Sequence, residues 1–139
     1  MPLRCSCCVL VTAALNLLTM SYDYSLFKPL GTGPMSSWPA ELPAALGSAD
    51  EVKQALSKVF PNTDWELFED SWFGRWENGK AHAEFQFTSE SDEMVHFLTM
   101  RRAERSEVEK LCGHLDVIAL DTQKMEQYSN LTPRWSRAE

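Results

Sequence analysis

The segment from Trp72 to Phe85 constrains the fold more than any other part of the chain, because apolar and polar side chains alternate on both sides of Asn78-Gly79. Asn-Gly between two alternating runs is typical of a two-residue type I′ turn, so the segment is predicted to form a β-hairpin. This turn places Glu77 opposite Lys80 and Arg75 opposite His82, and it separates two faces. The face predicted to enter the core holds Trp72, Gly74, Trp76, Ala81, Ala83 and Phe85. The opposite, polar face holds Phe73, Arg75, Glu77, Lys80, His82 and Glu84.

Gly74 has a packing role in this hairpin. The predicted register places it between Trp72 and Trp76 on the core face and opposite Ala83. A larger side chain there is expected to displace an indole and to overpack the core.

Two amphipathic helices are predicted. Ser48 and Glu51 form a capping box, and Pro61 ends the helix that follows. A second helix is predicted to begin with Ser106 and Glu109 as its cap. The buried stripe of the first consists of Val52, Ala55, Leu56, Val59 and Phe60, and that of the second consists of Val108, Leu111, Cys112 and Leu115.

Three further strands are predicted, at 21–28, at 94–101 and at the wholly apolar Val117–Leu120. The loop at 29–47 is rich in Pro and Gly, and Trp38 and Leu42 are predicted to anchor it to the core. The inward face of 94–101 is open to two interpretations. The favoured one buries Met94, Leu98 and Met100 and places Val95 and Phe97 on the polar face with Phe73; the alternative buries Val95 and Phe97.

These elements predict an α+β fold with a mainly antiparallel sheet of five or six strands and two helices on one face, an elaborated split β-α-β type. The domain is expected to span 20–128. The polar segment 129–139 is expected to form a disordered tail. The other sheet face remains open and is where function is sought.

Residues 1–19 form an apolar, cysteine-bearing leader ahead of Met20 and are predicted to lie outside the fold. The apolar stretch from Cys7 to Leu18 fits the core of an export signal better than a membrane span, which needs about 20 apolar residues. It lacks a small-x-small cleavage site, so a mis-set start is favoured over an export signal. A start at Met20 leaves Cys112 as the only cysteine, which favours a cytoplasmic location; a functional signal would make the protein exported.

Composition limits the partners. The chain has a net charge of −7, and Arg101-Arg102 is its only basic cluster after the leader. Acidic surfaces are repelled by phosphate backbones and anionic lipids, so neither nucleic acid nor a membrane is expected as a partner of the domain. The sequence has no Gly-rich phosphate loop, nucleophile elbow or paired Cys-x-x-Cys, and no metal or cofactor is predicted.

A few residues are candidates for chemistry. His82 has Glu84 two residues away on the polar face, although a solvated strand face is the favoured interpretation. Asp121 follows the apolar strand at a position where ligand-binding residues often lie, although a simple turn is favoured there. Cys112, His114 and Asp116 are spaced like metal ligands, but Cys112 belongs to the buried stripe and is predicted to act as a small hydrophobic residue.

The opening Met20–Pro29 and the closing Val117–Gln123 resemble the two ends of a family of small bacterial cytosolic proteins. That family has no established activity, so the resemblance implies no catalytic residues. The size and acidity of the chain are also similar to those of immunity proteins that neutralise bacterial toxins.

Two functions are therefore hypothesised. The first is a non-enzymatic protein-binding module, such as an immunity protein, that acts through the open sheet face. The alternative is a small enzyme or ligand-binding protein with a site around His82 or Asp121. The candidate binding residues are Phe73, Arg75, His82, Glu84, Val95, Phe97 and Asp121.

Overall fold

The computed structural model describes residues 23–32 and 35–138, so the leader and Met20 lie outside the described residues. Within them, eight strands form one antiparallel sheet. The strands are β1 (Asp23–Phe27), β2 (Asp64–Phe68), β3 (Ser71–Asn78), β4 (Ala81–Thr88), β5 (Leu98–Arg101), β6 (Ile118–Asp121), β7 (Glu126–Ser129) and β8 (Thr132–Arg137). The helices are α1 (Ala49–Val59) and α2 (Arg105–Leu115), with a short 3-10 helix at Met35–Ser37.

The strand order is β2-β3-β4-β5-β1-β6-β7-β8. The first strand therefore lies inside the sheet, where it pairs with β5 on one side and β6 on the other. The second and last strands form the two edges. The predicted α+β class is confirmed, but the sheet has eight strands where five or six were predicted.

One hydrophobic core lies between the two helices and one face of the sheet. Both helices and six of the strands contribute fully or largely buried side chains to it, among them Tyr24, Leu26, Val52, Leu56, Phe60, Trp76, Phe85, Phe87, Leu98, Met100, Val108, Leu111, Ala119 and Tyr128. The first helix begins as predicted: Ser48 Oγ accepts from the Glu51 N–H at 3.2 Å, and Glu51 Oε1 accepts from the Ser48 N–H at 2.8 Å. The second helix begins earlier than predicted, with Glu104 as its N-cap.

The β3–β4 hairpin has the predicted faces but a different register. Asn78 lies opposite Ala81, so the two-residue turn is Gly79-Lys80, and Gly79 has a φ of 66°. Glycine at the first central position is the preference of a type II′ turn, whereas the prediction assumed type I′. The pairing shifts by two residues, and because side chains alternate with a period of two, every side chain keeps its predicted face.

The segment 129–139 was predicted to be a disordered tail, and over the described residues this prediction is wrong. It continues β7 and forms β8, whose Trp135 ring lies 5.4 Å from the Tyr128 ring and 5.7 Å from the Tyr24 ring. The Trp135 indole N–H also donates to Glu109 Oε2 at 2.8 Å. A single aromatic anchor therefore holds an otherwise polar strand.

The loop between β1 and α1 covers part of the open face. Trp38 packs edge-on against Phe27 at 6.4 Å, which places it on the open face and not in the core to which it was predicted to anchor the loop. Leu42 is 54% exposed and does not anchor the loop, contrary to the prediction. Two backbone hydrogen bonds hold the loop instead. The Leu46 N–H donates to the Val95 carbonyl oxygen, and the Val95 N–H donates to the Gly47 carbonyl oxygen.

Candidate functional site

The open face of β2 to β5 carries most of the candidate binding residues. Phe73 and Arg75 on β3 and His82 and Glu84 on β4 point away from the helices, because their neighbours in sequence enter the core. The prediction for these four side chains rested on the alternation of the hairpin. The structure places all four on one continuous surface.

Two adjoining clefts mark this surface. The first, of about 200 Å³, is called the β2 cleft and is lined by Asp64, Trp65, Glu66, Phe73, Gly74, Arg75, Glu84, Phe85 and Arg101. The second, of about 430 Å³, is called the His82 cleft and is lined by Arg75, Glu77, His82, Ala83, Glu84 and Arg102. Arg75 and Glu84 line both, so they form the ridge between the clefts.

A row of alternating charges crosses the open face from β2 to β1. Its members, in order across the sheet, are Asp64, Arg75, Glu84, Arg101 and Asp23, each the cross-strand partner of the next. Arg101 Nε lies 3.5 Å from Asp23 Oδ1. Opposite charges on neighbouring strands stabilise a sheet by roughly 0.2–1 kcal/mol a pair. This charge row depends on which strands are neighbours, so the hairpin sequence alone could not predict it.

His82 is one of the residues that line its cleft. Its cross-strand partner is Glu77, whereas the predicted register placed it opposite Arg75. The imidazole is exposed, and within the described part of the chain it makes no hydrogen bond or ion pair. Glu84 instead meets the guanidinium of Arg102 at 3.4 Å. Among the described residues, no side chain is therefore hydrogen-bonded to His82 in a way that would orient its ring as a general base.

Val95 and Phe97 have different positions, although the favoured interpretation placed both on the polar face. Phe97 is on that face, 39% exposed, with its ring 5.6 Å from the Phe27 ring. Val95 is fully buried and forms a bridge with Gly47, so its assignment to the binding face is wrong. The strand begins only at Leu98, and the alternation that holds for 97–101 does not extend back through the irregular segment before it.

Asp121 is on the opposite side of the sheet and is fully buried. One carboxylate oxygen accepts from Arg105 at 2.8 Å, and the other accepts from the backbone N–H groups of Gln123 and Lys124 at 3.0 and 3.1 Å. The same Arg105 nitrogen donates to Glu126 Oε1 at 2.7 Å. Both oxygens of Asp121 are therefore engaged in joining α2 to the β6–β7 turn, which makes it a poor ligand-binding residue.

His96 is a feature that the sequence left unassigned. It is buried, with Nδ1 2.7 Å from the Pro43 carbonyl oxygen and Nε2 2.8 Å from Asp92 Oδ2. Two acceptors favour the doubly protonated ring. The hydrogen bond to Asp92, and then that to Pro43, raise the pKa of His96 above its usual value, and the pKa of Asp92 is lowered by the same contact. The hydrogen bond between His96 and the Pro43 carbonyl joins the loop before α1 to the loop before β5.

Cys112 is buried in α2, and burial raises the pKa of its thiol to about 12. His114, two residues on, is exposed. The two side chains do not share a site, and Cys112 packs as the small hydrophobic residue that the sequence indicated.

Comparison with known proteins finds no matching family, curated relative or solved structure. Among the described residues, neither helix has the length and apolarity needed to cross a membrane. Function is therefore inferred from the geometry of the surface.

Proposed function

We propose that this chain is a non-enzymatic protein-binding module that acts through the open face of β2 to β5. The observation that carries this proposal is the charge row with a cleft on each side of its Arg75–Glu84 ridge. Alternating charges offer a partner several ion pairs in one register, and such patterns supply specificity in protein recognition. Phe73 adds an aromatic side chain to the β2 cleft.

The partner is proposed to be a protein, as in immunity proteins that neutralise toxins. The open face combines both signs of charge with apolar side chains, whereas a basic surface is what nucleic acid requires. The resemblance of the two chain ends to small bacterial cytosolic proteins, together with the free and buried Cys112, supports a cytoplasmic setting. A toxin encoded by a neighbouring gene is the first partner to test.

A small-molecule site around His82 is the second candidate. Its cleft of about 430 Å³ brings together Glu77, Glu84 and Arg102 beside the imidazole. The other centre considered, Asp121, lacks a free carboxylate oxygen. A ligand of the cleft would shift the NMR signals of His82 and Arg102 and leave those of β6 unchanged.

The test of the binding module uses the purified full chain and a partner identified by stoichiometric capture. Arg75→Thr with Glu84→Thr removes the ridge, keeps the net charge and introduces good strand formers. We expect affinity to fall by at least about ten-fold, or 1.4 kcal/mol. The matched control, Asp50→Ala with Lys58→Ala on exposed α1 positions, is expected to leave affinity within about two-fold, a difference below 0.5 kcal/mol.

Failure takes two forms. A chain that captures no stoichiometric partner from its host contradicts the proposal. A partner whose affinity is insensitive to the ridge variant, measured where both variants are folded by circular dichroism, contradicts the open face as the site.

A further inference from the structure

Within the part of the chain that the structure describes, β2 is an edge strand that pairs with β3 only. Phe68 and Ser71 flank the two-residue turn Glu69-Asp70. Residues that flank such a turn form a hydrogen-bonded pair, and bonded and non-bonded pairs alternate along an antiparallel ladder. The N–H and C=O groups of Trp65 and Leu67 therefore point away from β3. An edge of this kind can accept one more strand.

The two edges of the sheet are not equivalent. The opposite edge, β8, contains Pro133, which cannot donate to a ladder, and Arg134, and its pairing with β7 has an irregular register. β2 has an unbroken register and contains neither Pro nor Lys. Leu67 is 54% exposed and Phe68 62% exposed, one on each face of this edge. Apolar side chains of this size at an unpaired edge favour association.

The charge of β2 determines which kind of strand can pair with it. The segment Asp64–Asp70 carries four carboxylates and no basic side chain, and all four are exposed. They belong to Asp64, Glu66, Glu69 and Asp70. A second copy is disfavoured, because antiparallel pairing of two β2 strands about their centre would place Glu66 opposite Glu66 between two chains of net charge −7. Charge complementarity requires a basic strand.

We infer that β2 is a docking edge for an extended basic segment of a partner protein, which adds to the sheet as a ninth strand. This inference rests on the proposed function as a protein-binding module and names a specific surface for it. Asp64 and Glu66 point to the open face, so the added strand presents Lys or Arg on that side. Trp65 and Leu67 point to the helix side, so its alternate residues are apolar. The partner motif is therefore an alternation of basic and apolar residues.

The probe is a short capped peptide in which Lys and Val alternate, titrated against the full chain. We expect saturable binding, and slower hydrogen exchange at the N–H groups of Trp65 and Leu67. A peptide of the same composition with its Lys and Val in two blocks is the matched control, and we expect it to bind at least about ten-fold more weakly.

Two variants locate the site. Leu67→Pro removes an outward donor without removing a β2–β3 hydrogen bond, and Glu66→Lys reverses the charge while the backbone stays intact. Each is expected to weaken binding of the alternating peptide by at least about ten-fold. If Leu67→Pro unfolds the domain, Glu66→Lys still decides the question.

Other outcomes overturn the inference. Equal binding of the two peptides would indicate unspecific charge attraction, and concentration-dependent dimers lost in Leu67→Pro would identify a second copy as the occupant. The Arg75→Thr, Glu84→Thr variant separates this inference from the proposed function. It is expected to keep its affinity for the peptide, so loss of peptide binding there assigns the peptide to the open face. A captured partner could lose affinity for the ridge variant and keep its affinity for Leu67→Pro and Glu66→Lys. That result would support the open face as the binding site and exclude β2 as the docking edge.

Discussion

The Trp65 ring lies directly over Gly74, its cross-strand partner in the β2–β3 ladder. A β-carbon added to Gly74 would be 2.6 Å from Cζ3 of that ring, closer than side-chain atoms pack. The indole is held from several sides: Nε1 donates to Ser57 Oγ at 3.2 Å, and the ring stacks on Phe85 at 6.1 Å. The absence of a side chain at Gly74 is therefore what allows β2 to pack over the core edge.

Gly74→Val is expected to destabilise the domain by about 1–3 kcal/mol, because Trp65 must move to admit the side chain. The gain in strand propensity does not offset this cost. Urea unfolding measures the difference. In a Trp65→Ala background the cost of Gly74→Val should fall, since the obstructing ring is gone, and a cost that is unchanged there would exclude Trp65 as the cause.

The face assignment has its own controls. Arg75→Thr and His82→Thr, both at exposed positions, should change the free energy of unfolding by no more than about 0.5 kcal/mol. If His82→Thr lowered the free energy of unfolding as much as Gly74→Val, the His82 side of the sheet would be part of the core. The proposed binding surface would then have to be abandoned.

His96 predicts a stability that depends on pH. Its pKa is raised in the folded state, so the stabilisation is complete below the unfolded pKa of about 6.5 and is lost as the pH rises through the folded pKa. Asp92 and Glu90 are the carboxylates that favour the charged ring. Urea unfolding between about pH 6 and pH 7.5 should therefore show the free energy of unfolding decreasing; this range ends about one unit below the ordinary thiol pKa of about 8.5, so Cys112 stays largely protonated in the unfolded chain as well.

His96→Gln should remove most of this decrease, and His82→Gln should keep it. A wild-type free energy of unfolding that is flat or increasing over this range would contradict the doubly bonded imidazolium.

Asp121→Asn is expected to cost roughly 2–3 kcal/mol, because it leaves Arg105 facing an amide in place of a buried carboxylate. The cost lies below that of a fully buried pair, since the Arg105 side chain is 30% exposed and Glu126 still accepts from it. Chemical denaturation measures it. Glu126→Gln, at a more exposed partner, should cost clearly less; the reverse ranking would show that Glu126 is the main partner of Arg105.

Trp135→Ala should destabilise the domain by about 2–4 kcal/mol, although it lies in a segment of polar composition. The loss removes ring contacts with Tyr24 and Tyr128 and the cation-π contact with Arg105, whose guanidinium carbon lies 4.0 Å from the ring centre. Trp135→Phe keeps the packing and loses the hydrogen bond to Glu109, so about 1 kcal/mol is expected. Unchanged thermal unfolding of Trp135→Ala would mean that β8 is not part of the folded sheet.

Several elements were predictable because their signals are local. The capping box of Ser48 and Glu51 acts within one helical turn, and the stripe that includes Val52 and Leu56 repeats with the helical period, so both were visible before folding. The same holds for the two faces of the β3–β4 hairpin. Even with the turn misplaced, period-two alternation kept Arg75 and His82 on the open face.

Other features depended on contacts between segments far apart in the sequence. Val95 is buried because Gly47 pairs with it, and β8 is ordered because Trp135 meets Tyr24, more than a hundred residues away. No local period encodes either contact. Leu42 was predicted to be an anchor because it is apolar. An apolar residue in a loop is buried only if another element covers it, and its local sequence does not show whether one does.

The sequence by itself determined the two helices, the β3–β4 hairpin, the α+β class and the face on which each hairpin side chain lies, because propensity and periodicity act between near neighbours. Only the tertiary structure decided that β1 lies between β5 and β6, and that Asp64, Arg75, Glu84, Arg101 and Asp23 form one row. It likewise decided that Asp121 is buried against Arg105 and that β2 is an edge of the sheet formed by the described residues. Which strands become neighbours depends on how the whole sheet buries its apolar face, so no local segment of the sequence encodes it.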